Sequence, residues 1–146
     1  MTRALEVVER ALDLLLAHDM AGFAGLWAVD GTLEFPFASE GYPQRIDGRA
    51  AVTEYMRGYT DHIAPRVITS QTVHQSVDPE VVVVEFEVEG TAVRSGCPYH
   101  MRYVSVITVR DGEIVGYRDY WSPLAAAEAL GGGNELSEFG ESGGDR

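Results

Sequence analysis

Residues 101 to 121 read MRYVSVITVRDGEIVGYRDYW, two long runs of β-branched and aromatic residues around one Asp-Gly pair. Asp-Gly tolerates positive φ at both positions, so Asp111-Gly112 predicts a two-residue hairpin between strands over 98–110 and 113–121. A hairpin restricts the fold strongly because it sets a register as well as a partner. With Arg110 opposite Glu113 and regular pairing beyond, Val104 falls opposite Asp119 and Arg102 opposite Trp121. One face then holds Arg102, Val104, Val106 and Thr108 with Val115, Tyr117, Asp119 and Trp121. The other holds Met101, Tyr103, Ser105, Ile107 and Val109 with Ile114, Gly116, Arg118 and Tyr120. Both faces are mostly apolar. Both are therefore expected to be covered, one by the chain's own helices and the other by a second copy.

Upstream, further β patterning predicts strands near 66–77 and 80–89, with a weak continuation at Thr91–Arg94. The run VVVVEFEVEG begins as a continuous apolar block and suits a strand covered on both faces. Before these strands the period is helical. Leu5, Val8, Leu12, Leu15 and Leu16 make an amphipathic stripe over 3–17. Asp19 is placed to cap a second helix through Phe23, Leu26 and Trp27 that ends before Asp30-Gly31. TLEFPFA (32–38) alternates Leu33, Phe35 and Phe37 with polar residues and Pro36, an edge strand or bulge. Val52, Tyr55, Met56, Tyr59 and Ile63 form a third helical stripe that Pro65 is expected to end. After a short helix SPLAAAEAL, residues 132–146 are acidic and Gly-rich and are expected to be disordered. Helices first and an antiparallel sheet after them predict one α+β domain over 1–131.

Charge narrows the partners. Eleven basic residues face 23 acidic ones, a formal net charge of −12, which repels nucleic acid and anionic lipid. No apolar run is long enough to span a bilayer, and Glu and Arg interrupt the N-terminal run where a signal peptide would be apolar, so a cytoplasmic location is expected. One cysteine, Cys97, allows no internal disulfide and is read as packing. His18, His62, His74 and His100 lack metal-ligand spacing, and no Gly-rich phosphate loop follows a strand. Neither metal nor nucleotide nor flavin cofactor is expected.

The acid of interest is Asp119. In the regular register Arg102 is diagonal to it, and the plain reading is a structural ion pair. The functional reading places Asp119 in a pocket lined by Trp121, Tyr117, Trp27 and Phe35, where burial would raise its pKa and make it an acid or base near neutrality. These two causes oppose each other, and both readings stay open here. Tyr55 and Tyr59 share a helical face toward core or pocket mouth, His100 shares a face with Arg102 near the rim, and Glu34 is expected to be exposed.

Three motifs, AHDMAGFAGLWAVDGTLEFP, IDGRAAVTEYM and ITVRDGEIVGYRDYWSPLAAAEALG, resemble the SnoaL-like proteins of the nuclear transport factor 2 superfamily over residues 5–131. That resemblance implies a cone of one curved antiparallel sheet closed by N-terminal helices around a hydrophobic pocket, commonly as a homodimer. Against ketosteroid isomerases, the general-base Asp matches Phe35, the oxyanion Tyr matches Ala11 and the second Asp matches about Ser105, so that mechanism is disfavoured. The Asp-Arg-Asp set of limonene epoxide hydrolases has no match. The local resemblance to phenazine-biosynthesis A/B proteins is closer: their Arg-Glu-Phe-Met-Asn-Pro reads Arg118-Asp119-Tyr120-Trp121-Ser122-Pro123 here and ends in Leu130-Gly131. Their functional acid falls on Asp119 and their partner His near Tyr55. What the resemblance implies is a cofactor-independent enzyme acting on a hydrophobic, polyketide-like metabolite as isomerase, cyclase or dehydratase. Asp119 and Tyr55 would be catalytic, and Trp121, Tyr117, Trp27, Phe35, Tyr59, Arg102 and His100 would bind substrate. A non-catalytic binding protein using the same pocket is the alternative.

Overall fold

Helix α1 (Thr2–Leu16) forms on the stripe expected of it, burying Ala4, Val8, Ala11, Leu12 and Leu15. It ends at His18, whose φ of 62° turns the chain, and Asp19 then caps α2 (Met20–Ala24) by accepting from the Gly22 amide at 2.8 Å. The computed structural model describes residues 2–129, so the expected tail lies outside the described residues.

Trp27 was expected on α2 but opens strand β1 (Trp27–Glu34). The cause is a strand partner: the Ile114 amide donates to the Leu26 carbonyl at 2.9 Å, which draws the chain into the sheet after little more than one helical turn. β1 also stops at Glu34, earlier than its alternation predicts. Pro36 cannot donate to a ladder, the chain turns as the Ala38 amide donates to the Phe35 carbonyl, and Phe37 is left 60% exposed. After β2 (Arg45–Asp47), helix α3 (Arg49–Arg57) ends at Gly58, and Tyr59–Asp61 makes one 3₁₀ turn. Pro65 does not end that helix. It lies inside β3 (Ile63–Gln75), an edge strand whose register shifts between Pro65 and Val67, the setting in which a strand accepts proline.

Three further strands follow: β4 (Val81–Ala92), β5 (Pro98–Arg110) and β6 (Glu113–Tyr120), then α4 (Pro123–Ala129). The sheet order is β2-β1-β6-β5-β4-β3, antiparallel at every junction except the parallel pair β1–β6. Register shifts in β1–β6, β3–β4 and β5–β6 bend the sheet, as bulges do. The expected α+β cone follows, with the concave face and the helices sharing one core. In β4 alternate residues, Val82, Val84, Phe86 and Val88, are buried, so the chain itself covers one face of the apolar block. Cys97 is exposed rather than packed. Among the described residues no helix is long and apolar enough to cross a membrane.

Candidate functional site

The hairpin turn is as expected, with φ of 55° at Asp111 and 80° at Gly112. Its register is not. Arg110 pairs with Glu113 and Val109 with Ile114, but Thr108 then pairs with Gly116, leaving Val115 as an extra residue in β6. Every later residue of β6 is moved to the opposite face from the one regular pairing predicts. Tyr117 lands opposite Ile107 and Asp119 opposite Ser105, both on the concave face. Arg102 lies on the convex face, where its Nε reaches Glu87 Oε2 at 3.2 Å and its side chain is 79% exposed. The Arg102–Asp119 pair is therefore replaced by Arg102–Glu87. His100 joins the same outer cluster through Glu87 Oε1 at 3.1 Å. Neither Arg102 nor His100 lines the cavity that Asp119 faces.

That cavity lies between the concave sheet, α1–α3 and α4. Its volume is about 80 Å³. Tyr55, Tyr59, Tyr117, Phe35 and Trp121 all line it with Asp119, whereas Trp27 stands behind the wall, its ring stacked on Tyr117 at 5.4 Å. Tyr42, Tyr99 and Tyr103 also line it, and sequence reasoning missed them. Tyr99 and Tyr103 carried a usable signal, since they share the parity of Ser105 in β5; the regular register put that parity opposite Asp119. Tyr42 comes from the irregular segment before β2, where no period exists to read. It meets Phe35 and Trp121 edge-on at 5.7 and 5.6 Å.

Hydroxyls lie around the acid in three groups. Tyr42 hydrogen-bonds Tyr55, and Tyr103 hydrogen-bonds both Tyr99 and Tyr59. Ser105, fully buried, has its Oγ 3.3 Å from Asp119 Oδ1 and 3.3 Å from the Tyr117 hydroxyl. Burial raises the pKa of all six tyrosines, so they stay protonated near neutrality and remain donors. Asp119 is pushed up to about 7 by burial, with the Ser105 hydrogen bond acting in the other direction. Among the described residues no arginine or histidine lines the cavity, and the chain contains no lysine at all, so it has no lysine side-chain amine to form a Schiff base. Among the described residues no three His, Cys, Asp or Glu side chains are grouped to hold a metal ion. What the arrangement can do is accept or deliver one proton beside a set of hydroxyl donors.

Comparison with known proteins agrees with this architecture. The uncharacterized protein YesE of Bacillus subtilis is 42% identical over 130 residues, covering 89% of this chain and 88% of its own. The PhzA/B-like protein PA3332 of Pseudomonas aeruginosa is 38% identical over 129 residues, 88% of this chain and 91% of its own. A crystal structure from Bacillus subtilis, described as a candidate isomerase, is 41% identical and superposes with a TM-score of 0.86 over 90% of this chain and 95% of that one. A model of the SnoaL-like domain matches residues 8–117, and the chain belongs to the SnoaL-like domain family.

Proposed function

We propose that this protein is a cofactor-independent enzyme that moves a proton on a small hydrophobic, polyketide-like substrate, in an isomerase, cyclase or dehydratase reaction. One observation carries the reading: a carboxyl group raised to about 7 faces an aromatic cavity with protonated tyrosines around it. A base must be ionised and an acid protonated, so a pKa near the working pH serves either direction. As base, Asp119 takes a proton from a carbon next to a carbonyl; Tyr55 donates a hydrogen bond to the enolate oxygen, and Tyr117, Trp121 and Phe35 line the space around the substrate and exclude water. The name of the Bacillus subtilis structure as a candidate isomerase supports the same reaction class.

The test is hydrogen exchange. Cyclic ketones and amino ketones incubated with the protein in D₂O are expected to take up deuterium at the α-carbon, at a rate that rises with pH through about 7. Asp119→Asn is expected to slow this about 10²- to 10⁴-fold. Saturable binding of the same compounds without exchange, indifferent to Asp119→Asn, would replace the enzyme by a binding protein.

We also propose a homodimer formed across the convex face. Val104 is 37% exposed there, with Val83 and Val106 beside it on the same face. Sedimentation velocity is expected to give twice the chain mass, and Val104→Arg the monomer.

A further inference from the structure

The charge inventory of the cavity is lopsided. Among the described residues Asp119 is its one ionisable carboxyl, no cation lines the wall, and the other polar side-chain groups of the lining are tyrosine hydroxyls and the Trp121 indole N–H. In water such a carboxylate is solvated. Here it stands among ring systems that include Phe23, Phe35, Phe86 and Trp121. Aromatic rings present negative faces, and a carboxylate adds a full charge of the same sign. An anionic ligand entering this space would meet like charge and no counterion, at a cost that low dielectric magnifies. A cationic ligand would supply the partner that the described lining leaves out.

We infer that the cavity selects organic cations, and that the hydrophobic substrate bears an ammonium or iminium group held between the aromatic wall and Asp119. The inference extends the acid/base reading to the charge of the substrate. It also suits the chemistry. When a neutral carbon acid gives its proton to Asp119 the negative charge only moves to the enolate, and a ketone that bears an ammonium group becomes a zwitterion whose cation stands beside that enolate. When an iminium gives up its α-proton, the C–H electron pair forms the enamine C=C, the C=N π pair returns to nitrogen and the proton goes to Asp119, so that carboxylate and cation are both neutralised. Charge annihilation is favoured where water is excluded.

Benzylammonium, benzyl alcohol and benzoate present one skeleton in three charge states, and calorimetry measures their binding without turnover. At pH 8 benzylammonium is expected to bind about 10-fold or more tighter than the alcohol, with benzoate the weakest. The preference is expected to disappear in Asp119→Asn and to shrink at pH 5. Among the groups facing Asp119, the tyrosines Tyr42, Tyr55 and Tyr59, Tyr99 and Tyr103 of β5 and Tyr117 of β6 stay protonated throughout, and Ser105 does not titrate. Since the chain carries a net charge of −12, Glu87→Gln on the convex face serves as the control and is expected to keep the preference. Equal or tighter binding of the alcohol, a preference that survives Asp119→Asn, or no binding of benzylammonium at millimolar concentration would each overturn the inference. Deuterium uptake by neutral ketones in the same protein would leave the acid/base reading standing when this one fell.

Discussion

Ser105 has one proton and two neighbours that want it. Ionised Asp119 is the stronger acceptor, so Ser105 donates to Oδ1 and is left to accept from the Tyr117 hydroxyl. The result is a short chain from Tyr117 through Ser105 to Asp119, closed off from solvent at its middle. Ser105 is thus a positioning residue for the acid, acting through it rather than on substrate. Removing the hydroxyl in Ser105→Ala takes away the interaction that favours the carboxylate. The pKa of Asp119, followed by carboxyl ¹³C shifts, is expected to rise by about one unit. An unchanged titration would mean that the serine only fills space. None of this was legible from residue types alone, because Ser105 and Asp119 were assigned to opposite faces of the sheet.

At the scale of elements, a single bulge separates the expected site from the observed one. Val115 shifts β6 by one residue, and that shift exchanges a wet ion pair for a half-buried acid facing the cavity. Turn chemistry locates a hairpin's start because φ at two residues decides it, but a bulge depends on what β6 must meet, and β6 must also lie parallel to β1. The same logic acts at β3–β4, where the strands approach closely beside Pro65. A Cβ added at Gly90 would sit 2.1 Å from the Ala64 carbonyl oxygen and 2.8 Å from the Pro65 Cα, both backbone atoms that cannot swing aside. Gly90→Ala is expected to destabilise the protein by about 1–3 kcal/mol, read from denaturant midpoints. A variant as stable as the parent would show that the edge strand yields freely there.

For the whole molecule, the half-buried acid of the cavity ties stability to pH. The folded pKa of Asp119 is about 7 against 3.8 for an exposed aspartate, so between these values the folded state binds more protons than the unfolded. Stability therefore falls as pH rises from about 4 to about 7, by at most about 4 kcal/mol, and is level above that. Asp119→Asn is expected to remove this slope and to melt higher than the parent at pH 8. Parallel melting curves for the two proteins from pH 4 to pH 8 would show that the carboxylate is solvated through the mouth of the cavity.

Local physics sufficed for much of this. The stripe of Val8, Leu12 and Leu15, the cap at Asp19 and the positive-φ turn at Asp111-Gly112 depend on a few neighbouring residues, so the chain's own order determined α1, the start of α2 and the β5–β6 hairpin. Their succession implied the α+β class, and the motif resemblance implied the cone. Tertiary structure alone decided where Trp27 and Pro65 lie, because strand partners far along the chain claim them. It also decided which face Asp119 takes. β6 pairs with β5 and β1 at once and carries an extra residue against β5, a feature that no local preference at Val115 records. The cavity wall follows from the same cause: its six tyrosines come from the segment before β2, α3, the 3₁₀ turn and two strands, and only the bent sheet brings them around one carboxylate.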